Sequence, residues 1–268
     1  MMLNRAIAAA ERTEVARSLI TQAEVENVDL VLLSALHLCV LDGPRQPMCE
    51  ERVTHAWTQL GDRRRRKVME EVSAGLVKRG LLIDDRPGPR TARPGGDYGL
   101  KPELGLMLAA RCRPAFIVIA AGERPGLRPL SLFALGDQAQ PVRGIVAEVP
   151  AGLPADRAAA HPDDRKLGPL GWIYRYVLVS AASAADLLAR WTITPPTEAG
   201  EAIPTRYLVS AYRPDRENPV GYHLGVRGDG LRAAVDGLVT GNGQPTVTEY
   251  DLAGLRAIMR QMLTEAST

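Results

Sequence analysis

Residues 76–105 read LVKRGLLIDDRPGPRTARPGGDYGLKPELG, and the order of signals in this stretch decides how the first part of the chain folds. Gly80 ends a helical stripe. Leu81-Leu82-Ile83 is a short apolar run of strand character. Residues 85–97 hold three prolines and three glycines, a composition that neither a helix nor a ladder tolerates, so they form a loop. Tyr98-Gly99-Leu100 then returns as a partner strand. Lys101-Pro102-Glu103 opens another helix, with proline in the first turn where its missing N–H costs nothing, and this helix ends near Arg113-Pro114.

Working back toward the N-terminus, a helix is predicted from Arg63 to Lys78, with Val68, Val72 and Leu76 as its apolar stripe and Asp62 placed to cap it. Before it, Val53, Trp57 and Leu60 recur at i, i+4 and i+7 in a helix from about Cys49 to Leu60, and Gly61-Asp62 separates the two. Leu30 to Leu41 reads as a strongly apolar, buried helix stopped by Asp42-Gly43-Pro44. Residues 1–27 read as a helix of modest amphipathicity, an arm.

Beyond Pro114 the period changes from helical to strand-like. Phe116–Ala120, Leu130–Leu135, Arg143–Val149, Ile173–Ser180, Arg206–Tyr212 and Tyr222–Val226 are predicted strands between Pro/Gly turns. Residues 150–170 form a long polar connection. Ser183 is placed to cap a short helix to Trp191, and an amphipathic helix over Asp251–Leu263 closes the chain with the stripe Leu252, Leu255, Met259, Met262. The expected class is α+β: a helical module over residues 28–113, then a mixed or antiparallel sheet domain over residues 114–268. The likeness between YRYVLVSA (174–181) and TRYLVSAY (205–212) is too short to establish an internal repeat.

Hydrophobic residues make up 46% of the 268 and charged residues 24%, which argues for a globular chain and against wholesale disorder. The three cysteines, Cys39, Cys49 and Cys112, cannot all pair and suit a reducing cytoplasm. Glu11 and Arg12 interrupt the short apolar run of the N-terminus, so no signal peptide is expected. The longest uncharged apolar run, 30–41, is far short of the roughly 20 residues of a membrane span, so no membrane partner is expected.

Positive charge is concentrated. Residues 62–101 carry eleven Lys/Arg against six Asp/Glu, an excess of five in a chain whose net charge is +2, leaving the remainder at −3. Arg63, Arg64, Arg65, Arg66 and Lys67 open one helix, and Arg86, Arg90 and Arg93 lie in the loop after it.

Three helices followed by LVKRGLLID, a Gly/Pro loop and YGLKPELG resemble the recognition helix and wing of MarR-like winged-helix regulators, over residues 28–105. The resemblance implies duplex DNA as partner. Arg63, Arg64, Arg65, Arg66 and Lys67 would meet the major groove, and Arg86, Arg90 and Arg93 the backbone or minor groove. Glu70 and Glu71 lie where phosphate would repel them. The second domain would then sense a ligand or partner. The order apolar helix, polar helix, LVKRGLL, loop, LKPELGLMLAARCRP and an FIVIA strand is also similar to the EspG family, cytoplasmic chaperones of actinobacterial type VII secretion. That match extends over most of the chain, through an α+β remainder that ends in a strand and an amphipathic helix, TVTEYDLAGLRAIMRQML. The basic helix before LVKRGLL departs from the family pattern. This second resemblance implies a protein partner, an acidic or apolar secretion substrate. The oligomeric state stays open, a dimer being compatible with either reading.

Catalytic signatures are weak. His161-Pro162-Asp163-Asp164 resembles the zinc-binding opening of LmbE-like de-N-acetylases, but Arg165 follows where an acid is needed, and no His-x-x-His completes the set. His37, Cys39, Cys49 and His55 have no common zinc spacing, so no metal is expected. The glycines of Gly225-x-x-Gly228-x-Gly230 and Gly241-x-Gly243 read as turn residues, no phosphate loop or nucleophile elbow occurs, and no cofactor is expected. His223 reads as a structural strand histidine. Tyr174, Tyr176, Tyr207, Tyr212, Met259 and Met262 read as core and sheet surface, or as the lining of a sensing pocket. A non-catalytic binding protein is the expectation, with DNA ahead of a protein partner, and an enzyme of unknown type third.

Overall fold

The computed structural model describes residues 2–43, 50–83, 98–124, 127–136, 142, 144–151, 168–194, 197–198, 201–203, 205–213, 223–237 and 247–267. The chain is α+β and divides into two compact units: residues 1–19, 29–112 and 150–176 in the first, residues 20–28, 113–149 and 177–268 in the second.

In the first unit, α1 (Met2–Glu11) is followed by α2 (Glu14–Ala23), whose last residues pass into the second unit. β1 (Val28–Ser34) comes next, then α3 (Ala35–Leu41), α4 (Glu51–Thr58) and α5 (Asp62–Lys78). The apolar run 30–41 is therefore not one helix. Its first half is a strand because a continuous apolar run fits a buried strand as well as a buried helix, and Ser34 breaks it. Ser34 Oγ accepts from the His37 backbone N–H, while Ser34 N–H donates to His37 Nδ1, a capping box that starts α3 at Ala35. The predicted N-terminal helix is likewise two helices, broken at Arg12-Thr13. At the start of α5, Gly61 occupies the cap position without a side-chain bond, and Asp62 is the first helical residue, where its charge favours the helix dipole.

After α5, Gly80 takes the left-handed conformation (φ 67) that stops the helix. β2 (Leu82–Ile83) and β3 (Gly99–Leu100) pair antiparallel, Leu82 opposite Leu100. Helix α6 (Pro102–Cys112) is buried from Leu104 through Arg111, as an apolar run without a polar face requires. It meets α1 at Gly105, where a Cβ would collide with the side chain of Ala10. Buried in this helix lies Arg111, whose Nε is 3.8 Å from Asp42 Oδ2, both side chains essentially inaccessible. Cys112 Sγ donates to Asp42 Oδ1 at 3.1 Å.

The second unit is built on an antiparallel sheet. β4 (Ile117–Gly122), β5 (Leu130–Leu135) and β6 (Gly144–Pro150, of which Pro150 belongs to the first unit) form a meander. β7 (Ile173–Val179) lies beside β6 as the fourth and last strand of this meander; it starts in the first unit, where β1 lies on its other side, and ends in the second. It leads into α7 (Ala181–Ile193). The two-residue strands β8 (Thr197–Glu198) and β9 (Glu201–Ala202) pair with each other. β10 (Arg206–Tyr212), β11 (His223–Gly228), β12 (Arg232–Gly237) and β13 (Val247–Asp251) form a second meander, followed by α8 (Leu252–Ser267). β10 pairs antiparallel with β4, so the first strands of the two meanders meet at the centre of the sheet.

This is a duplicated unit: four strands and a helix, twice, with α7 packed on α8. The equivalence extends to single residues. Ser180 Oγ accepts from Ser183 N–H at the start of α7, and Asp251 Oδ1 from Gly254 N–H at the start of α8. Aligning the two helices from Ser180 and Asp251 sets the buried Ala184, Leu188 and Thr192 against the buried Leu255, Met259 and Leu263. The core of this unit joins Val118, Ala120, Leu132, Val209, Ala211 and Val226 to Leu188, Leu255 and Met259. Ser180, not Ser183, caps α7. β13 is the strand read at the start of TVTEYDLAGLRAIMRQML, whereas β12 is a strand that the sequence alone does not announce.

The first half of the chain also contains a titrating cap. Burial, and then the positive charge of Arg79, push the His37 imidazole down to about 4, so it stays neutral and its Nδ1 accepts. Because the folded value lies below the ordinary 6.5, the unfolded chain takes up the proton first as pH falls. His37 therefore contributes stability that is complete above pH 6.5 and lost between 6.5 and about 4. We expect this loss to reach about 3 kcal/mol. His37→Gln keeps the side-chain acceptor without titrating and should flatten that part of the curve. Urea melts of both proteins between pH 4 and 7 check it; equal pH slopes would refute the role.

Candidate partner-binding surface

The seventeen-residue helix α5 carries the basic cluster on its exposed side. Helical spacing places Arg63, Lys67, Glu70 and Ala74 in one file at the centre of that side, with Arg64 and Arg66 on its two shoulders. The five basic side chains are not alike. Arg65 is half-buried and turned back: its Nε donates to Leu60 O at 2.6 Å and its guanidinium pairs with Asp62 at 3.4 Å. Lys67 pairs with Glu71 at 3.7 Å along the helix. Arg63, Arg64 and Arg66 are exposed, with no ion pair among the described residues. Glu70 and Glu71 are exposed on the same side. Residues 62–71 thus carry five positive and three negative charges. Arg86, Arg90 and Arg93 lie outside the described residues.

Just past α5, Arg79 Nη2 donates to Leu32 O at 2.9 Å. This contact places a cation beside Leu32 of β1, one of the large apolar side chains left exposed in the first unit; Ile83 of β2 is another.

In the second unit the sheet face away from α7 and α8 carries a polar row. Arg206 on β10 reaches across β11 to Asp236 on β12, Nη2 to Oδ2 at 2.7 Å, and also pairs with Glu123. Both partners hold the guanidinium more firmly charged than usual, Asp236 more than Glu123. Gly225 between them leaves the room: a Cβ there would strike both Asp236 and Arg206. Two register positions beyond Gly225, Ser210 Oγ and His223 Nδ1 are 2.8 Å apart. Ser210 is buried and His223 half-buried, and the pair ties β10 to β11. Around the row Ile119, Ala121, Leu208 and Tyr212 are half-buried.

Other sequence candidates take structural roles. Met259 and Met262 are packed in the core of the second unit. Tyr174 O–H donates to Glu50 Oε1 at 2.9 Å, and Tyr176 and Tyr207 are buried. His37 is a cap residue and Cys39 is buried in α3; Cys49 lies outside the described residues. No group of three metal-ligating side chains occurs among the described residues. The His161–Asp164 motif and Gly241 and Gly243 lie outside them. No described helix is long and apolar enough to cross a membrane. Sequence reasoning missed the Arg206–Asp236–Glu123 row and the Asp42–Arg111 pair, whose members are separated by 30 or more residues and share no local pattern.

Protein-family models, curated proteins and solved structures contain no match to this chain.

Proposed function

We propose that this chain is a non-catalytic binding protein whose partner is another protein, in the manner of the EspG-like chaperones that its sequence resembles. The observation that carries this reading is the mixed charge of α5. Glu70 shares the central file with Arg63 and Lys67, Glu71 lies beside it, and acids already engage Arg65 and Lys67. A surface that faces phosphates gains from cations and loses from carboxylates in the same file, whereas alternating charge suits the rim of a protein interface. Leu32 and Ile83 supply apolar surface in the same unit. Co-expression with type VII secretion substrates from the same genome tests the reading. A stable complex is expected on size exclusion, weakened by Glu70→Lys with Glu71→Lys. Failure of every such substrate to co-elute would remove it.

Duplex DNA is the second reading, favoured by the three exposed guanidinium groups of Arg63, Arg64 and Arg66. It also has the order of a winged helix behind it: α4, a short turn through Gly61, α5, then the β2–β3 pair. The protein would then be a transcription regulator whose second unit senses a ligand or partner. On this reading duplex affinity falls steeply with salt. Neutralising Arg63, Arg64 and Lys67 together flattens the slope of log K against log salt by roughly two to three units, about 0.9 per phosphate contact. Fluorescence anisotropy at two salt concentrations, wild type beside variant, decides between the readings. Absent binding, or an unchanged slope, removes DNA.

A further inference from the structure

We propose that the outer edge of β13 is a strand-addition site for an extended, lysine- or arginine-bearing segment of a partner protein. The duplication supplies the template. β13 is the counterpart of β7, since each is the last strand of its meander and leads directly into the helix capped by Ser180 or Asp251. β7 does not end its ladder: in the first unit β1 lies beside it, stitched across by Arg175 and Asp29 through two bonds of 2.6 Å. β13 pairs with β12 on one side, and no strand lies on its other side among the described residues. Four of its five residues are exposed, Val247 by 66%. An edge of this kind presents unpaired N–H and C=O groups in ladder spacing, which is what an added strand recognises.

Charge selects the occupant. Val247, Glu249 and Asp251 share one face, opposite Asp236, Ala234 and Arg232 of β12. Arg232 lies 3.4 Å from Glu249 and is the one cation opposite these carboxylates on β12. A second copy of the chain, added antiparallel about Glu249, would set Glu249 against Glu249 and Val247 against Asp251. Like charges directly opposite destabilise a ladder, so this edge disfavours self-pairing. A basic side chain opposite Glu249 would instead form the cross-strand pair that Asp29 and Arg175 form on β7. The site is independent of α5 and stands whichever partner α5 takes.

The probe is a pair of nine-residue peptides of alternating valine and threonine, one with lysine at its central positions and one with glutamate there. Binding to the full chain is read by fluorescence anisotropy, and its place by amide hydrogen exchange. The lysine peptide is expected to bind, to slow exchange across residues 247–251, and to exceed the glutamate peptide by about fivefold or more, the fold-change of a cross-strand ion pair at the upper end of its range. Glu249→Lys should reverse that preference, and the milder Glu249→Gln should abolish it if the reversal variant does not fold. No binding, equal binding of the two peptides, protection outside residues 247–251, or a dimer formed through β13 would each overturn the proposal.

Discussion

Replacing Asp42 by alanine is expected to lower the unfolding free energy by about 3–5 kcal/mol, the cost of breaking a buried ion pair by removing one partner. Arg111 projects from a helix that is buried from Leu104 onward, and its side chain, like that of Asp42, has essentially no contact with solvent. Removing the carboxylate takes a charge partner from a guanidinium buried in a medium that solvates it poorly, and also takes an acceptor from the Cys112 thiol. Removing both charges is another matter. The double change Asp42→Leu with Arg111→Leu exchanges two desolvated ions for apolar volume, and should recover much of what the single change loses. Urea denaturation of wild type, single and double variants measures this. If the double variant is no more stable than Asp42→Ala, the pair is not what the site depends on.

Gly228→Ala should be the most damaging methyl group that can be added to the second unit. The end of β11 lies against the last turn of α7, and Gly230 N–H donates to Ile193 O at 2.8 Å just beyond it. A Cβ at position 228 would fall on the Ile193 backbone, carbonyl included, and not on a side chain that could swing away. Either the β11–β12 turn or the end of α7 must move. The expected loss is about 3 kcal/mol, the upper part of the range for overpacking. Gly237→Ala on the next strand has open space around the added carbon and is the matched control. Thermal or urea melts showing equal stability for the two variants would contradict the close approach.

Much of the architecture was legible because its signals are local. Gly80, Pro102 and the apolar stripe of α5 mark their elements within a few residues, β5 is a short apolar run, and β4, β7 and β10 are rich in the β-branched and aromatic residues that suit a pleated surface. What the sequence hid is held by tertiary context. RAAVDG of β12 has little intrinsic strand character; it is a strand because β11 and β13 offer it a ladder on either side. VDLVLLS of β1 has no alternation to betray it, and the decision rests on a histidine in the place where a glutamate usually completes a capping box. The most visible sequence likeness also misleads. YRYVLVSA belongs to β7 and TRYLVSAY to β10, which are the last strand of one meander and the first of the other. In the topology the counterpart of β7 is β13, and the two differ in burial, β7 being mostly buried and β13 mostly exposed. For the candidate surface, the cluster of basic residues on α5 was readable from sequence. Its internal neutralisation by Asp62 and Glu71 was not, since it depends on which way each side chain turns.

The meeting of β4 and β10 has a consequence for synthesis of the chain. Ile117 and Tyr212 stand opposite each other although about ninety residues separate them, whereas the pairings within each meander join neighbours. As the polypeptide leaves the ribosome, the first meander can close on itself long before the second exists. During that interval one long side of β4, with the apolar sequence IVIAAG, has no partner of its own. Its backbone groups are then open to any extended chain nearby. The nascent protein is therefore most vulnerable to aggregation between the emergence of Gly122 and that of Tyr212, and the final strand to arrive at the centre of the sheet also shields the first.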